Sequence, residues 1–327
     1  MQKIIIICGP TATGKSDLGI TLAHTIHTDI ISADSRQAYK GMDIGTGKDL
    51  PQDSQYTHFS TLRSDNQNYS IGYYVKDNVK HWLFDLTNPD QMMNSGLYRN
   101  SCLEVIKKLK SEKKIPIVVG GTGFYIRSLL DPPETITVPP NFFLRNQLEH
   151  ESLESLQQEL ILLNKTKWSS MNQSDQSNPR RLIRAIEVAK SMLVPPQNIK
   201  LFDPFLIGLT APLELLYERI EKRVAKRVSD GFINEVTMLI KKYPNFLGIP
   251  SGKTLGYCHI GKCLLGSISL DQAIIEWTQA EKKYAKRQLT WFKKQPNIHW
   301  FDITSKNWYA QVKKELEKWR IHDPNGA

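Results

Sequence analysis

Residues 4–16 constrain the fold of this sequence more than any other segment. The short apolar run from Ile4 to Cys8 has the composition of a buried strand. It is followed directly by Gly9, Pro10, Thr11, Ala12, Thr13, Gly14, Lys15 and Ser16. Apolar residues then recur at helical spacing from Leu18 to Ile26. The segment therefore predicts a strand, a phosphate-binding loop and a helix whose N-terminal N–H groups face phosphate oxygens.

Two residues of this loop carry its specific chemistry. Lys15 is placed to reach the terminal phosphates of a ligand, and the Ser16 hydroxyl is placed to ligate Mg²⁺. We therefore predict a diphosphate site that uses Mg²⁺ as its cofactor. A glycine-rich turn without a ligand is the alternative, and the flanking strand and helix patterns disfavour it.

Further strand and helix patterns predict an α/β fold. Apolar strand signals at residues 30–33, 115–119 and 205–209 are separated by helical patterns. The predicted fold class is a P-loop NTPase-like parallel sheet flanked by helices. Residues 49–80 are polar and turn-rich, and we expect an exposed excursion there.

The middle of the chain has a different pattern. Residues 141–200 show leucine stripes at helical spacing and no strand signal. We therefore predict a P-loop core domain formed by residues 1–139 and 201–327, with an all-helical insertion domain at residues 140–200.

The charge balance indicates which partners fit. The 327-residue chain has 43 lysines and arginines against 33 aspartates and glutamates, which gives a formal net charge of +10. This excess favours an anionic partner larger than a diphosphate, although a merely basic surface fits the composition equally well. No apolar run approaches the roughly eighteen residues of a membrane span, and the first strand begins too early to leave room for a leader. Four cysteines suit a reducing compartment, so we expect a cytoplasmic protein without a membrane contact.

Basic residues concentrate in three segments, which are residues 180–184, 219–227 and 282–294. Arg219, Arg223 and Arg227 fall on one helical face. Their repulsion favours a bound anion, whereas a solvated face paired with glutamates fits the spacing equally well. The third segment interleaves aromatic and basic residues, as RNA-binding surfaces do, although such aromatics also suit the core side of an amphipathic helix.

Two polar residues follow predicted strands. Asp34 comes after the strand at residues 30–33, and Thr122 lies in a second glycine-rich turn after the strand at residues 115–119. Ligands of open α/β sheets bind beyond the carboxyl ends of the strands, so both residues are expected near the phosphate loop. A carboxylate at Asp34 is compatible with a general base, a structural cap or a Mg²⁺ support, and the residues alone leave the three open.

An ordered set of motifs runs along the chain. It comprises Gly9 to Ser16, Asp34-Ser35-x-Gln37-x-Tyr39, Ile44-Gly45-Thr46, Val119 to Tyr125, Pro179 to Ala185, Arg219-Ile220-x-x-Arg223, Gly256-Tyr257 and Ala285 to Trp291. The set resembles the tRNA dimethylallyltransferases, also called tRNA isopentenyltransferases. The chain departs from that pattern at Gly47-Lys48-Asp49, where Ala-Lys-Pro is usual, and in a longer segment over residues 50–80.

The resemblance implies transfer of a dimethylallyl group from dimethylallyl diphosphate to the exocyclic N6 amine of the adenosine 3′ of the tRNA anticodon. Diphosphate is released, and the phosphate loop holds the prenyl diphosphate rather than ATP. The implied general base is Asp34. Lys15, Arg223 and Mg²⁺ at Ser16 are implied to stabilise the leaving diphosphate, and Thr122 to contact the reacting nucleotide.

The resemblance also implies contacts with the tRNA anticodon stem-loop. The implied contact residues are Asp34, Ser35, Arg36, Gln37, Thr122, Arg145, Arg180, Arg181, Leu182, Ile183, Arg184, Lys286, Arg287, Gln288, Leu289, Thr290, Trp291, Phe292 and Lys293. Three alternatives stay open: a small-molecule P-loop kinase, a non-catalytic RNA-binding protein and an adenylate prenyltransferase. We expect a monomer.

Overall fold

The computed structural model describes residues 1–64, 67–191 and 200–321. These residues form one eight-stranded sheet. Its strands are β1 (Gln2–Cys8), β2 (Ile30–Ser32), β3 (Thr57–Ser64), β4 (Gln67–Lys76), β5 (Val79–Trp82), β6 (Ile117–Val119), β7 (Phe202–Thr210) and β8 (Ile298–Asp302).

The spatial order of the strands is β3-β4-β5-β2-β6-β1-β7-β8. All neighbours from β5 to β8 pair in parallel, whereas β3, β4 and β5 pair as antiparallel neighbours at one edge. Strand β1 is an interior strand, and its Ile6 pairs with Val118 on one side and Leu206 on the other. The carboxyl ends of β1, β2 and β6 therefore meet at one edge of the sheet, where α/β folds place their ligands.

Helices connect and cover these strands. In the described residues they are α1 (Lys15–Ile26), α2 (Ser95–Ser111), α3 (Gly123–Leu130), α4 (Phe142–Leu148), α5 (Leu153–Leu163), α6 (Lys165–Ser170), α7 (Gln173–Gln176), α8 (Pro179–Ala189), α9 (Leu213–Ser229), α10 (Phe232–Lys242), α11 (Tyr257–Leu264), α12 (Leu270–Lys293) and α13 (Trp308–Ile321). Two short 3₁₀ helices span Glu134–Thr137 and Phe246–Gly248.

The apolar run of β1 is continuous because both faces of the sheet are covered. Ile4 and Ile6 belong to a buried cluster that includes side chains of α2 and α3. Ile5 and Ile7 belong to a second cluster that includes side chains of α1 and α13. Alternate residues of one strand thus serve two cores, and this fixes the position of the loop that follows β1.

A third buried cluster holds the carboxyl-terminal helices together. It contains Val224 of α9, Phe232 of α10, Tyr257 of α11 and Trp277 of α12. The Phe232 ring centroid lies 4.8 Å from that of Trp277 and 4.9 Å from that of Tyr257. These aromatic contacts hold α10, α11 and α12 together, and Val224 packs α9 into the same cluster. Both α9 and α12 carry basic segments.

The internal contacts divide the chain into two compact units. One comprises Met1–Leu130 with Lys200–Ala327, and the other is Asp131–Ile199. The second unit has its own helical core, which includes Leu156 and Leu182. The sequence predicts the boundary later, after residue 139, and residues 192–199 of the predicted insertion lie outside the described residues.

The structure differs from the sequence prediction at three elements, β3, β4 and α11. Residues predicted as an exposed excursion form the antiparallel hairpin of β3 and β4, and the sequence pattern does not predict α11. The predicted α/β class with a parallel sheet flanked by helices is confirmed. None of the helices in the described ranges has the length and apolar character needed to cross a bilayer.

Candidate active site

The phosphate loop between β1 and α1 needs glycine at two positions. Gly9 has a φ of 131°, and a Cβ there would overlap the carbonyl oxygen of Leu209 on β7. Gly14 has a φ of 79° at the N-cap of α1. Both φ values lie in the region that favours glycine, so the sequence allows the chain to curl around the N-terminus of α1.

The Lys15 ammonium lies against this loop. Its Nζ donates a hydrogen bond to the Pro10 carbonyl oxygen at 2.7 Å. Burial lowers the pKa of Lys15 to about 8, with a further contribution from the nearby Arg223 guanidinium. A bound anion would favour the charged form of this lysine, because opposite charges raise the pKa of an ammonium group.

The loop residues predicted to bind the diphosphate divide into two groups. Thr11, Ala12, Gly14, Lys15 and Ser16 line a cavity at the carboxyl edge of the sheet. Gly9, Pro10 and Thr13 are buried. Since the Thr13 hydroxyl donates to the Pro10 carbonyl oxygen at 2.9 Å, this second group shapes the loop and does not line its surface.

The loops that follow β2 and β6 are joined around Thr122. Its hydroxyl oxygen accepts the Ser35 N–H at 3.0 Å, and its own N–H donates to the Ala33 carbonyl oxygen at 3.2 Å. The adjacent Asp34 carboxylate accepts the Arg36 N–H through Oδ1 at 2.8 Å. The structure therefore brings together Asp34 and Thr122, which the sequence predicts at this edge.

Helix α9 brings Arg223 to the phosphate loop. Its Nη1 donates to the Thr11 hydroxyl at 2.6 Å, and its Nη2 lies 3.3 Å from Glu281 Oε2. The Arg223 Nε is buried and has no hydrogen-bond partner within the described part of the chain. A buried N–H without an acceptor is costly, so this group favours an anionic ligand that accepts from it.

A second arginine increases the positive charge at this point. Arg227 Nη1 lies 3.8 Å from Glu281 Oε1, so one buried carboxylate faces two guanidinium groups. Burial lowers the pKa of Arg223 to about 10, and Arg227 contributes to the same shift. At this point two guanidinium groups face one carboxylate, and an anionic ligand such as a diphosphate would balance the excess positive charge.

One cavity of about 1270 Å³ connects these groups. Besides the phosphate loop, its lining includes Asp34, Ser35, Arg36, Gln37, Gly120, Gly121, Thr122, Arg223, Arg227, Glu281, Tyr284 and Gln288. A cavity that is lined by phosphate-binding groups and by a carboxylate suits the transfer of a group from a diphosphate to a proton-bearing acceptor.

The oxygen donors in this cavity fit Mg²⁺. Ser16, Asp17 and Asp34 line it, and hydroxyl and carboxylate oxygens are the hard ligands that Mg²⁺ prefers. The described residues contain no cluster of three histidine, cysteine or acidic side chains that would form an all-protein metal cage. Mg²⁺ commonly takes one or two protein oxygens and completes its shell with substrate phosphates and water.

Comparison with known proteins decides the family. The family model described as IPP transferase matches residues 37–295. The chain is 36% identical over 310 residues to the tRNA dimethylallyltransferase of Carboxydothermus hydrogenoformans, covering 92% of both chains. It is 34% identical over 331 residues to the tRNA dimethylallyltransferase of Finegoldia magna, covering 97% of this chain and 98% of the relative. The chain belongs to the IPP transferase family.

Solved structures agree with the fold of this IPP transferase. A tRNA isopentenylpyrophosphate transferase from Bacillus halodurans has a TM-score of 0.66 at 27% identity, with 98% of both chains covered. A eukaryotic dimethylallyltransferase, captured in crystallographic snapshots acting on tRNA, has a TM-score of 0.74 at 21% identity. That match covers 96% of this chain and 78% of the other, and at this identity it supports the fold alone. The predicted family is confirmed.

Helix α12 of this IPP transferase carries eight of the predicted tRNA contacts, at residues 286–293. Six side chains line a second cavity of about 510 Å³, namely Lys283, Lys286, Arg287, Thr290, Trp291 and Lys294. The Trp291 ring centroid lies 6.1 Å from that of Phe124, which is 63% exposed. Lys293 is exposed and Leu289 is half-buried. We call the six lining residues the basic face of α12.

Four of the predicted tRNA contacts have side chains inside the protein. Leu182 and Ile183 of α8 are buried in the helical core of residues 131–199. Gln288 and Phe292 of α12 are 7% and 1% exposed. The motifs that contain them are contiguous in sequence, but the helical period turns these positions inward. Their side chains therefore face inward and not an outer surface, and their contact with tRNA stays a prediction.

The arginines predicted in the insertion are mostly engaged within it. Arg145 donates to both carboxylate oxygens of Glu187, at 2.9 and 2.8 Å. Arg184 also donates to Glu187 and to the carbonyl oxygens of Thr135 and Val138. These bonds give Arg145 and Arg184 a structural role.

The remaining two predicted arginines lie at the surface of the insertion. Arg181 pairs with Asp175, whereas Arg180 is exposed. Exposed guanidinium groups are the ones placed to meet phosphates. Within residues 180–184, the prediction of tRNA contact therefore rests on Arg180 and Arg181.

The predicted contacts beside Asp34 also hold the loop together. Gln37 accepts the Ser32 hydroxyl at 2.7 Å and donates to the Gly47 carbonyl oxygen at 3.0 Å. Arg36 donates to the Pro250 carbonyl oxygen at 3.1 Å. Ser35 contributes its backbone N–H to Thr122, so these three residues fix the position of Asp34.

Sequence reasoning missed Glu281. This residue is 7% exposed and accepts the Trp277 Nε1–H at 3.2 Å while it also faces the two arginines of α9. The available signal was its spacing, because Glu281, Tyr284 and Gln288 recur at helical intervals on one face of α12. In the sequence, however, Glu281 stands next to the basic segment at residues 282–294, where a charged side chain is usually solvated.

Proposed function

We propose that this chain transfers a dimethylallyl group from dimethylallyl diphosphate to the N6 amine of the adenosine 3′ of a tRNA anticodon. The main support for this proposal is that one cavity is lined both by the phosphate loop with Arg223 and by the Asp34–Thr122 pair. The relatives named as tRNA dimethylallyltransferases support the substrate class.

The donor half of the site is the phosphate loop. In the reaction the C1–oxygen bond of the donor breaks, and diphosphate leaves with the electron pair. Lys15 and Arg223 bear the positive charge that meets the growing charge of the leaving group. Mg²⁺ at Ser16 would supply Lewis-acid stabilisation of the same diphosphate oxygens.

The acceptor half is the Asp34–Thr122 pair. The adenosine nitrogen forms the new bond to C1 and loses a proton, which the Asp34 carboxylate is placed to accept. An aromatic amine is a weak nucleophile, so a base that takes this proton accelerates the step. The Thr122 hydroxyl already holds the Ser35 N–H and retains capacity to orient the nucleotide.

The basic face of α12 supports a polyanionic acceptor. Its lysines and Arg287 surround Trp291, and single-stranded RNA is bound by phosphate contacts combined with base stacking. A base inside a stem-loop must be turned out of its stack to reach an enclosed site. A cytoplasmic location and a monomeric state stay predictions.

The test is a transfer assay with three acceptors. The purified chain is incubated with Mg²⁺ and radiolabelled dimethylallyl diphosphate, and with tRNA, AMP or ATP in parallel. We expect label only in tRNA, recovered as a prenylated adenosine. Label in AMP or ATP alone would indicate an adenylate prenyltransferase, and no label in any acceptor would contradict the proposal.

The variant Asp34→Asn tests whether the Asp34 carboxylate is the general base. It preserves size and loses the basic carboxylate, so the transfer rate should fall about 100- to 10,000-fold. The dissociation constant for tRNA should change little, because one uncharged replacement leaves the basic surfaces intact. A loss of tRNA binding that matches the loss of rate would reassign Asp34 to docking.

A further inference from the structure

The Gln288 side chain joins two loops of the active site. Its Oε1 accepts the Thr11 N–H of the phosphate loop at 2.9 Å. Its Nε2 donates to the Gly121 carbonyl oxygen of the loop after β6, also at 2.9 Å. Both partners are backbone groups, so the side-chain amide of Gln288 connects the backbones of the two loops directly.

The two loops joined in this way carry the two halves of the proposed reaction. Thr11 holds Arg223 through its hydroxyl, on the donor side. Gly121 precedes Thr122, which holds the Ser35 N–H beside Asp34 on the acceptor side. The distance between donor and acceptor groups therefore depends on the Gln288 amide.

The surroundings of Gln288 are built to accept a side chain of this size. A Cβ on Gly121 would overlap the Gln288 amide nitrogen, and a Cβ on Gly123 would overlap the Trp291 ring. The absence of side chains at both glycines lets α12 approach the loop. Gln288 is 7% exposed, so water does not readily replace its two hydrogen bonds.

We propose that Gln288 is a positioning residue that sets the separation between the diphosphate loop and the acceptor loop. This inference rests on the proposed function and deepens it. A group transfer requires the attacking nitrogen and the donor carbon to be in line, and a displacement of about 1 Å can cost roughly 100-fold in rate. Gln288 touches neither reacting atom, and it acts through the two backbone segments.

The test replaces Gln288 by methionine. Methionine has a similar length but no N–H donor and only a weak acceptor, so both hydrogen bonds are removed with little change in volume. We expect the single-turnover transfer rate to fall about 10- to 100-fold. The dissociation constants for tRNA and for inorganic pyrophosphate with Mg²⁺ should stay within about threefold, because the binding groups remain in place.

Two further variants keep the result interpretable. Gln288→Glu keeps the acceptor for Thr11 and loses the donor to Gly121, and it should also be slow. Gln272→Met makes the same replacement in the exposed first turn of α12, where the glutamine bonds to Glu276, and it should leave the rate unchanged. A melting temperature measured for each variant reports whether it is folded.

Amide hydrogen exchange gives a readout that does not depend on transfer. In Gln288→Met, residues 9–16 and 120–124 should both exchange faster, whereas Gln272→Met should leave them unchanged. The positioning role would be overturned if the rate of Gln288→Met stayed within about twofold of the wild-type rate. It would also be overturned if pyrophosphate binding and melting temperature fell in step with the rate. A wild-type chain without transfer activity, with the exchange pattern as expected, would refute the proposed function while retaining the connection between the loops.

Discussion

The surroundings of Lys15 suit the binding of an anion. Its ammonium is removed from water and placed near Arg223, and burial is the larger of these two causes of its lowered pKa, about 8. The ammonium is oriented along the loop by its hydrogen bond to the Pro10 carbonyl oxygen. The site therefore favours an anionic ligand, because a bound anion would raise the pKa of Lys15 again.

This arrangement predicts a pH-dependent affinity for dimethylallyl diphosphate. Below a pH of about 8 the lysine of the ligand-free protein is charged, and binding requires no proton. Above that pH it is mostly neutral, so binding must take up a proton and the affinity should fall by about tenfold per pH unit. A titration of the dissociation constant between about pH 7 and 9.5, at fixed Mg²⁺, measures this break.

Lys15→Arg serves as the control for that titration. A guanidinium group stays protonated throughout the range, so the break near pH 8 should disappear even if the affinity is lower at every pH. An affinity of the wild-type chain that is constant across the titrated range would show that Lys15 does not titrate there.

Loop geometry was predicted well where a backbone motif fixes it. Gly9, Gly14 and Lys15 occupy the positions that their spacing predicts, because only certain residues tolerate that loop geometry. The orientation of side chains was predicted less well inside helical motifs. Gln288 and Phe292 lie among basic residues in sequence, yet both face inward, since chain neighbours on a helix point in different directions.

The inner and outer sides of helix α12 make different contributions to the site. Its inner side contributes Glu281 to the arginines of α9 and Gln288 to the two loops. Its outer side is the basic face with Trp291. The sequence left open whether the aromatic residues of this segment belong to the core or to an RNA-binding surface. The structure answers differently for each, because Phe292 is buried whereas Trp291 lines the outer cavity.

The outer side of α12 predicts a salt-dependent affinity for tRNA. Neutralising Arg287 and Lys293 together, by replacement with glutamine, should weaken tRNA binding. The slope of log affinity against log salt should become shallower by roughly 0.7 to 0.9 for each tRNA phosphate that the variant no longer neutralises. Filter binding at several salt concentrations measures the slope.

Lys107 and Lys110 of α2 provide the matched charge control. Both are exposed, and replacing them by glutamine removes the same net charge from a different helix. We expect their double variant to keep the wild-type slope. Equal slopes for all three proteins would show that Arg287 and Lys293 do not contact the tRNA backbone.

At the scale of the whole molecule, the parallel part of the sheet could be predicted and its antiparallel edge could not. Strands β1, β2, β6 and β7 are buried apolar runs that follow or precede helical patterns. Strand β3 is largely exposed, so it lacks the alternation that identifies a half-buried strand. Its place in the sheet follows from pairing with β4, which is tertiary information.

The site as a whole depends on contacts between segments that are far apart in sequence. The phosphate loop, the Asp34 loop and the second glycine-rich loop were each predictable from strand ends. The family resemblance implied Arg223 at the phosphate loop. The connections through Glu281 and Gln288 were not predictable, because a carboxylate or an amide on a helix has no sequence signature of its partner. These connections turn separate motifs into one cavity.

Photo-cross-linking shows whether the reacting adenosine of tRNA enters this cavity. A tRNA with a photoreactive adenosine 3′ of the anticodon is irradiated in complex with the chain, and the attached peptides are identified by mass spectrometry. We predict attachment to peptides that contain residues 34–37 or 119–125, and its loss when unlabelled tRNA competes. Attachment that is confined to other parts of the chain would show that the adenosine does not enter this cavity.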